Sequence, residues 1–151
     1  MDQNLKIEIV TSFYITENND RMNELVKALD KNLQNKYINN IHLFVDDKKC
    51  VDYLKNKYNK LFFNKIKICK IGKQPLYSDL FTYCNTLKQK ICMIINSDIW
   101  LYSIDNINIF DKLKENKQKT IFFLTRHEHD FSRPLIENYR GSHDAFIFIS
   151  P

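Results

Sequence analysis

Short runs rich in apolar and β-branched residues recur along this chain, and they restrict its folds more than any other feature. Ile7 to Thr11, Ile38 to Val45, Ile91 to Ile95, Thr120 to Leu124 and Ala145 to Ile149 each read as a strand. Another strand lies within Phe62 to Ile71, where Ile66 and Ile68 alternate with lysines. Between the strands the spacing turns helical. Met22, Leu25, Val26, Leu29 and Leu33 recur through Gln34, behind possible N-cap oxygens on Asn18, Asn19 and Asp20. Val51 to Tyr58 and Ile109 to Glu115 read as short helices, and Leu76 to Leu87 as a helix with Leu80, Phe81, Cys84 and Leu87 on one face. Strands that lack polar alternation are buried on both faces. The expected fold is therefore α/β, three layers around a mostly parallel central sheet. At 151 residues, one domain over 1–151 is expected.

Composition excludes several function classes. The chain has only 2 glycines, Gly72 and Gly141. Neither a dinucleotide-binding G-x-G-x-x-G loop, a P-loop nor a G-x-S-x-G elbow can be built from them. Lys and Arg number 23 against 18 Asp and Glu, a net charge of +5. This mild excess is spread along the chain; it favours anionic ligands such as phosphates but forms no concentrated basic stripe, so nucleic acid is not the expected partner. Tyr53, Tyr58, Phe62 and Phe63, interleaved with lysines, read as core anchors with the lysine heads reaching to water. Four cysteines without a C-x-x-C pair read as reduced thiols, which fits a cytoplasmic protein. The segment Met1 to Lys6 is polar rather than signal-like, and no run approaches the ~18 apolar residues of a membrane span.

In sheets of this kind, ligands sit beyond the carboxyl ends of the strands. Those ends carry Thr11-Ser12, Asp46-Asp47, Asn96-Ser97-Asp98 and Arg126-His127. The sharpest is Asn96-Ser97-Asp98, where a buried strand gives way to two oxygen-bearing side chains at alternate positions that can face the same way. A carboxylate there can hold a divalent cation that bridges two phosphates. Asn, Ser and Asp also end strands as plain turns, and spacing leaves both readings open. Arg126-His127-Glu128-His129-Asp130 offers a second constellation: its histidines and acids, with His143 and Asp144, suit a metal-dependent hydrolase or nuclease, or form a solvated loop.

Three blocks in order carry a resemblance: Asn96-Ser97-Asp98-Ile99, Leu124-Thr125-Arg126, and Gly141-Ser142-His143-Asp144-Ala145-Phe146-Ile147-Phe148. Together with the first strand and the stretch Asp79 to Asn85, they resemble GT-A-type glycosyltransferases, with Asn-Ser-Asp as a variant of the D-x-D motif. The resemblance implies a Rossmann-like GT-A domain that transfers a sugar from a UDP- or GDP-sugar to a hydroxyl of a glycan or protein acceptor. It implies Thr11, Ser12 and Tyr14 at the nucleotide, Asp46 at the base or ribose, and Asp79 and Asn85 beside the nucleotide-sugar. Asp98, assisted by Asn96 and Ser97, would bind Mn²⁺ or Mg²⁺ and the diphosphate. Arg126 would contact the donor sugar or a phosphate, and Asp144 would face the sugar as the candidate general base or as a ligand of a sugar hydroxyl. Two departures matter. Asn96 stands at the first acidic position, which lowers the expected metal affinity, and the chain stops soon after Phe148, as a truncated or minimal domain would. A non-catalytic nucleotide-sugar-binding domain is the companion expectation.

Overall fold

The computed structural model describes residues 6–102, 109–115, 120–124 and 143–151. In chain order the elements are β1 (Ile7–Ser12), α1 (Asn19–Gln34), β2 (Ile38–Val45), α2 (Lys48–Lys57), α3 (Lys60–Lys65), β3 (Ile66–Lys70), α4 (Tyr77–Cys84), β4 (Ile91–Ile95), α5 (Ile109–Glu115), β5 (Ile121–Leu124) and β6 (Ala145–Ile149). The strands form one six-stranded sheet in the order β3-β2-β1-β4-β6-β5. β1 pairs in parallel with β2 and β4, and β2 with β3. β6 lies antiparallel to both β4 and β5. The fold is thus α/β around a mixed, mostly parallel sheet, consistent with a Rossmann-like arrangement.

Both faces of the sheet are covered, as unalternated apolar strands require. Ile9, Ile41, Leu43, Met93 and Ile147 point to one face, where they meet Leu25 and Leu29 of α1, Leu54 of α2 and Leu113 of α5. Val10, Phe44, Cys92, Ile94 and Phe148 point to the other, where they meet Leu80 and Cys84 of α4. Each fully buried Ile or Leu contributes roughly 1.5–3 kcal/mol, so these two layers hold the fold.

Three local details differ from the sequence expectation. α2 begins at Lys48, ahead of the apolar spacing, because the Asp47 carboxylate accepts from the Cys50 N–H at 3.0 Å and caps it. Phe62 and Phe63 belong to the short helix α3, started by the Asn59 side chain, which accepts from Phe62 N–H at 3.1 Å. α4 gives way to a 3-10 turn at Asn85–Leu87. The four aromatics Tyr53, Tyr58, Phe62 and Phe63 do pack against the core as anchors. The Tyr58 hydroxyl donates to Asp30 at 2.7 Å.

The segment after β4 is tied to α1. The buried Asn32 side chain donates to the Ile99 carbonyl and accepts from the Leu101 N–H, both at 3.0 Å. Asn35 donates to the Leu101 carbonyl at 3.0 Å. The chain's last residues are pinned at the amino end of β4: Ser150 N–H donates to the Lys90 carbonyl at 2.9 Å, and Lys90 N–H donates to Ser150 Oγ at 3.0 Å.

Candidate functional site

A cavity of about 600 Å³ opens where β1, β2 and β4 end. This is within the range of small-ligand and cofactor sites and lies at the sheet edge where the topology places ligands. Ser12 reaches it from the end of β1 and Tyr14 from beyond that strand, Asp46 from beyond β2, and Asn96, Ser97 and Asp98 from beyond β4. The fold therefore brings six of the sequence-expected positions together.

Within the motif, Asn96 is an organising residue. Its Oδ1 accepts from the Tyr77 hydroxyl at 2.9 Å and its Nδ2 donates to Asp144 Oδ1 at 3.0 Å. Its backbone N–H donates to the Asp144 carbonyl at 3.1 Å. Asp144 precedes β6, and the antiparallel course of that strand is what carries it to the carboxyl end of β4. Burial, with the Asp144 charge adding, raises the Tyr77 phenol above its ordinary pKa, so Tyr77 remains a neutral donor at the cavity wall.

Asp98 has a cation for a partner. Its Oδ2 accepts from Arg21 Nη1 at 2.8 Å. The same Nη1 donates to Glu24 Oε2 at 2.9 Å, and Arg21 Nε donates to the Tyr14 hydroxyl at 3.0 Å. These three bonds, Asp98 first, hold Arg21 protonated even more firmly than usual. Arg21 sits in the first turn of α1, where its N–H donates to the Asn18 cap at 3.0 Å. Lys73 is the other basic side chain on the lining, with Nζ 3.3 Å from Asp79 Oδ2. Sequence reasoning missed Arg21, Lys73 and Tyr77. The readable signal for Arg21 was a cation in a helix's first turn, where the helix dipole disfavours it.

Three expected ligand residues are not on the cavity lining. Thr11 is buried, and its hydroxyl donates to the Ile95 carbonyl at 2.7 Å, which staples β1 to β4 beneath the cavity instead of lining it. Asp79 accepts from the Leu76 N–H at 2.8 Å, a bond that lowers its pKa, so it starts α4 and holds Lys73 at the rim. Asn85 lies past the far end of α4, exposed, while only the beginning of that helix, Tyr77 and Leu80, meets the cavity. Arg126, His127, His129 and Asp130 lie outside the described residues. The His143 ring rests against Phe123, centroids 5.5 Å apart. Trp100 is not on the cavity lining, and Lys27 Nζ lies 5.6 Å from its ring centroid.

The motif's donor set does not fit a divalent cation. Both ends of the Asn96 amide are engaged, and the one carboxylate, Asp98, is already paired with a guanidinium. Hard cations need several oxygen ligands and usually one or two unencumbered carboxylates. Among the described residues, Asp46, Asp47 and Cys50 place ligand-type atoms within 4.8 Å of one another. Burial and the bond to Asp46 push the Cys50 thiol up to about 12, whereas metals bind the thiolate.

No protein-family model matches the chain, and no curated protein is significantly similar to it.

Proposed function

We propose that the chain is a glycosyltransferase that binds a UDP- or GDP-sugar in the cavity and passes the sugar to an acceptor hydroxyl. The observation that carries this reading is the position of Asn96-Ser97-Asp98: it borders a 600 Å³ cavity at the carboxyl ends of parallel strands, facing Arg21 and Lys73. An acid-lined, cation-bearing cleft of this size suits a ligand with hydroxyls at one end and phosphates at the other. In this reading Asp46 accepts from ribose or base donors beyond β2, and Ser12 and Tyr14 border the nucleoside. The diphosphate lies toward the basic side chains.

In the transfer, the acceptor oxygen bonds to the anomeric carbon and the bond from that carbon to the diphosphate oxygen breaks. The nucleoside diphosphate leaves with the electron pair. The acceptor's proton goes to a carboxylate, which we assign to Asp144. Asn96 fixes that carboxylate's orientation through Oδ1, as a general base requires.

A thermal-shift screen of UDP-, GDP-, CMP- and dTDP-sugars tests the binding half. A ligand at 100 times its dissociation constant stabilises the fold by about 2.7 kcal/mol, so a UDP- or GDP-sugar is expected to raise Tm clearly and Asp46→Ala to weaken that rise. Flat melting curves with every nucleotide-sugar would sink the reading. Release of free nucleotide from the bound donor, lost in Asp144→Asn, tests the transfer half.

A further inference from the structure

The cation at the motif is a side chain. Resting on the nucleoside-diphosphate reading above, we infer that Arg21 takes the place a divalent ion would hold at Asp98, so that the cavity binds its ligand's diphosphate without metal. Asp98 is then the positioning residue for Arg21 and not a metal ligand.

Arg21 Nη1 lies 2.8 Å from Asp98 Oδ2. A divalent cation on the same carboxylate would stand about 2.0–2.6 Å from the oxygen, so the two positive groups compete for one site. The guanidinium is also fixed by the Tyr14 hydroxyl and by Glu24, which leaves its plane oriented before any ligand arrives. Its other terminal nitrogen, Nη2, bonds none of the described residues, so its donors remain for a phosphate. Helix stability does not explain the residue. A cation in the first turn of α1 opposes the helix dipole, and two carboxylates are spent on holding it there. Lys73 lines the same cavity and supplies a second positive charge, tethered to Asp79 at 3.3 Å. A planar, always-charged fork beside a flexible ammonium is a pairing suited to a diphosphate.

The test is calorimetric titration of the full chain with UDP, GDP and inorganic pyrophosphate, each in EDTA and in Mn²⁺, alongside Mn²⁺ alone followed by electron paramagnetic resonance. Wild type is expected to bind pyrophosphate and one nucleoside diphosphate in EDTA, with no tightening by Mn²⁺, and to leave the free-Mn²⁺ spectrum unchanged. Arg21→Gln is expected to lose about tenfold or more of that affinity, and Asp98→Asn less, because the guanidinium remains and is aimed by Tyr14 and Glu24 alone. Arg21→Lys, which keeps the charge but not the fork, should fall between them and serves if Arg21→Gln fails to fold. Nucleotide binding that appears only with Mn²⁺, or Mn²⁺ binding alone that Asp98→Asn removes, overturns the inference and leaves the glycosyltransferase reading standing. Arg21-dependent pyrophosphate binding with no response to UDP or GDP does the reverse. Silence toward all three ligands, with and without Mn²⁺, overturns both.

Discussion

Two acid–base pairs in this molecule invite comparison. On the α4 side of the sheet, Glu8 Oε2 meets His42 Nε2 at 2.7 Å with both side chains 7% exposed. At the cavity, Arg21 meets Asp98 at 2.8 Å with side chains 34% and 29% exposed. The closed pair is surrounded by partners. Asn39 Nδ2 donates to Glu8 Oε1 at 2.6 Å, Asn40 Nδ2 donates to Oε2 at 3.0 Å, and His42 Nδ1 meets the Tyr83 hydroxyl at 2.9 Å. Every strong acceptor there is occupied by the protein itself, as burial demands. The open pair borders a cavity, and Arg21 Nη2 bonds none of the described residues. A buried polar cluster that satisfies itself acts on the fold, whereas one left partly unsatisfied at a strand end is available to a ligand.

The largest effect should come from breaking the closed pair. His42→Ala leaves a buried carboxylate without its counter-charge and is expected to cost about 3–5 kcal/mol in urea denaturation, while nucleotide affinity in the surviving folded fraction stays put. A loss under 1 kcal/mol would show that water or rearrangement replaces the ring. The same pair has a pH signature. Burial works against the charged ring, but the Cys69 thiol and the Glu8 carboxylate prevail and raise His42 from its ordinary 6.5 to about 9. Burial likewise opposes the Glu8 carboxylate, but its bonds to His42, Asn39 and Asn40 prevail and lower it from 4.5. The histidine contribution is therefore whole below about 6.5 and lost as pH rises through about 9; the glutamate contribution is present above about 4.5 and lost as pH falls. Urea midpoints should be highest near pH 5–6.5 and decline toward pH 9.5, and His42→Gln should flatten the alkaline side. An equally steep alkaline decline in that variant would remove the pair as its source.

Smaller effects sharpen the boundary between the two regions. Thr11→Val leaves the buried Ile95 carbonyl without its hydroxyl donor and should cost about 1–2 kcal/mol with nucleotide binding retained, since Thr11 acts under the cavity and not in it. A selective loss of binding at unchanged stability would return Thr11 to the ligand. Asn18→Ala removes the α1 cap and should cost about 1 kcal/mol. Arg21→Gln should change stability least, by under about 1 kcal/mol, because its pair is solvent-screened. Its effect belongs in ligand titrations, and a large drop in Tm would make the pair a structural one.

Much of the fold was legible because its strands are rich in apolar and β-branched residues. The runs Ile38 to Val45, Ile91 to Ile95 and Ala145 to Ile149 begin and end where the sheet's strands do. Direction was not legible: an apolar run looks the same in either sense, and only pairing reveals that β6 is antiparallel. α3 escaped because six residues are too few to show a helical period, and its aromatics favour strands as well. Part of the site could be read because polar residues interrupt apolar strands at one end of the sheet. Arg21 could not be placed that way, since it follows Asp98 into the cavity across 77 positions of sequence. Thr11 and Asn85 are the opposite case, expected at the ligand but off the cavity lining. Residue type and position near a motif suggested ligand contact, whereas one hydroxyl faces inward and the other side chain sits a whole helix away.

The pinned carboxyl-terminal residues have a practical consequence. Ser150 is locked to Lys90 at the amino end of β4, and β4 runs from there to Asn96 at the cavity. Pro151 is exposed at that pole. A reporter or a surface anchor introduced at this pole would lie opposite the cavity. Such a graft would turn the open mouth of the cleft toward solution.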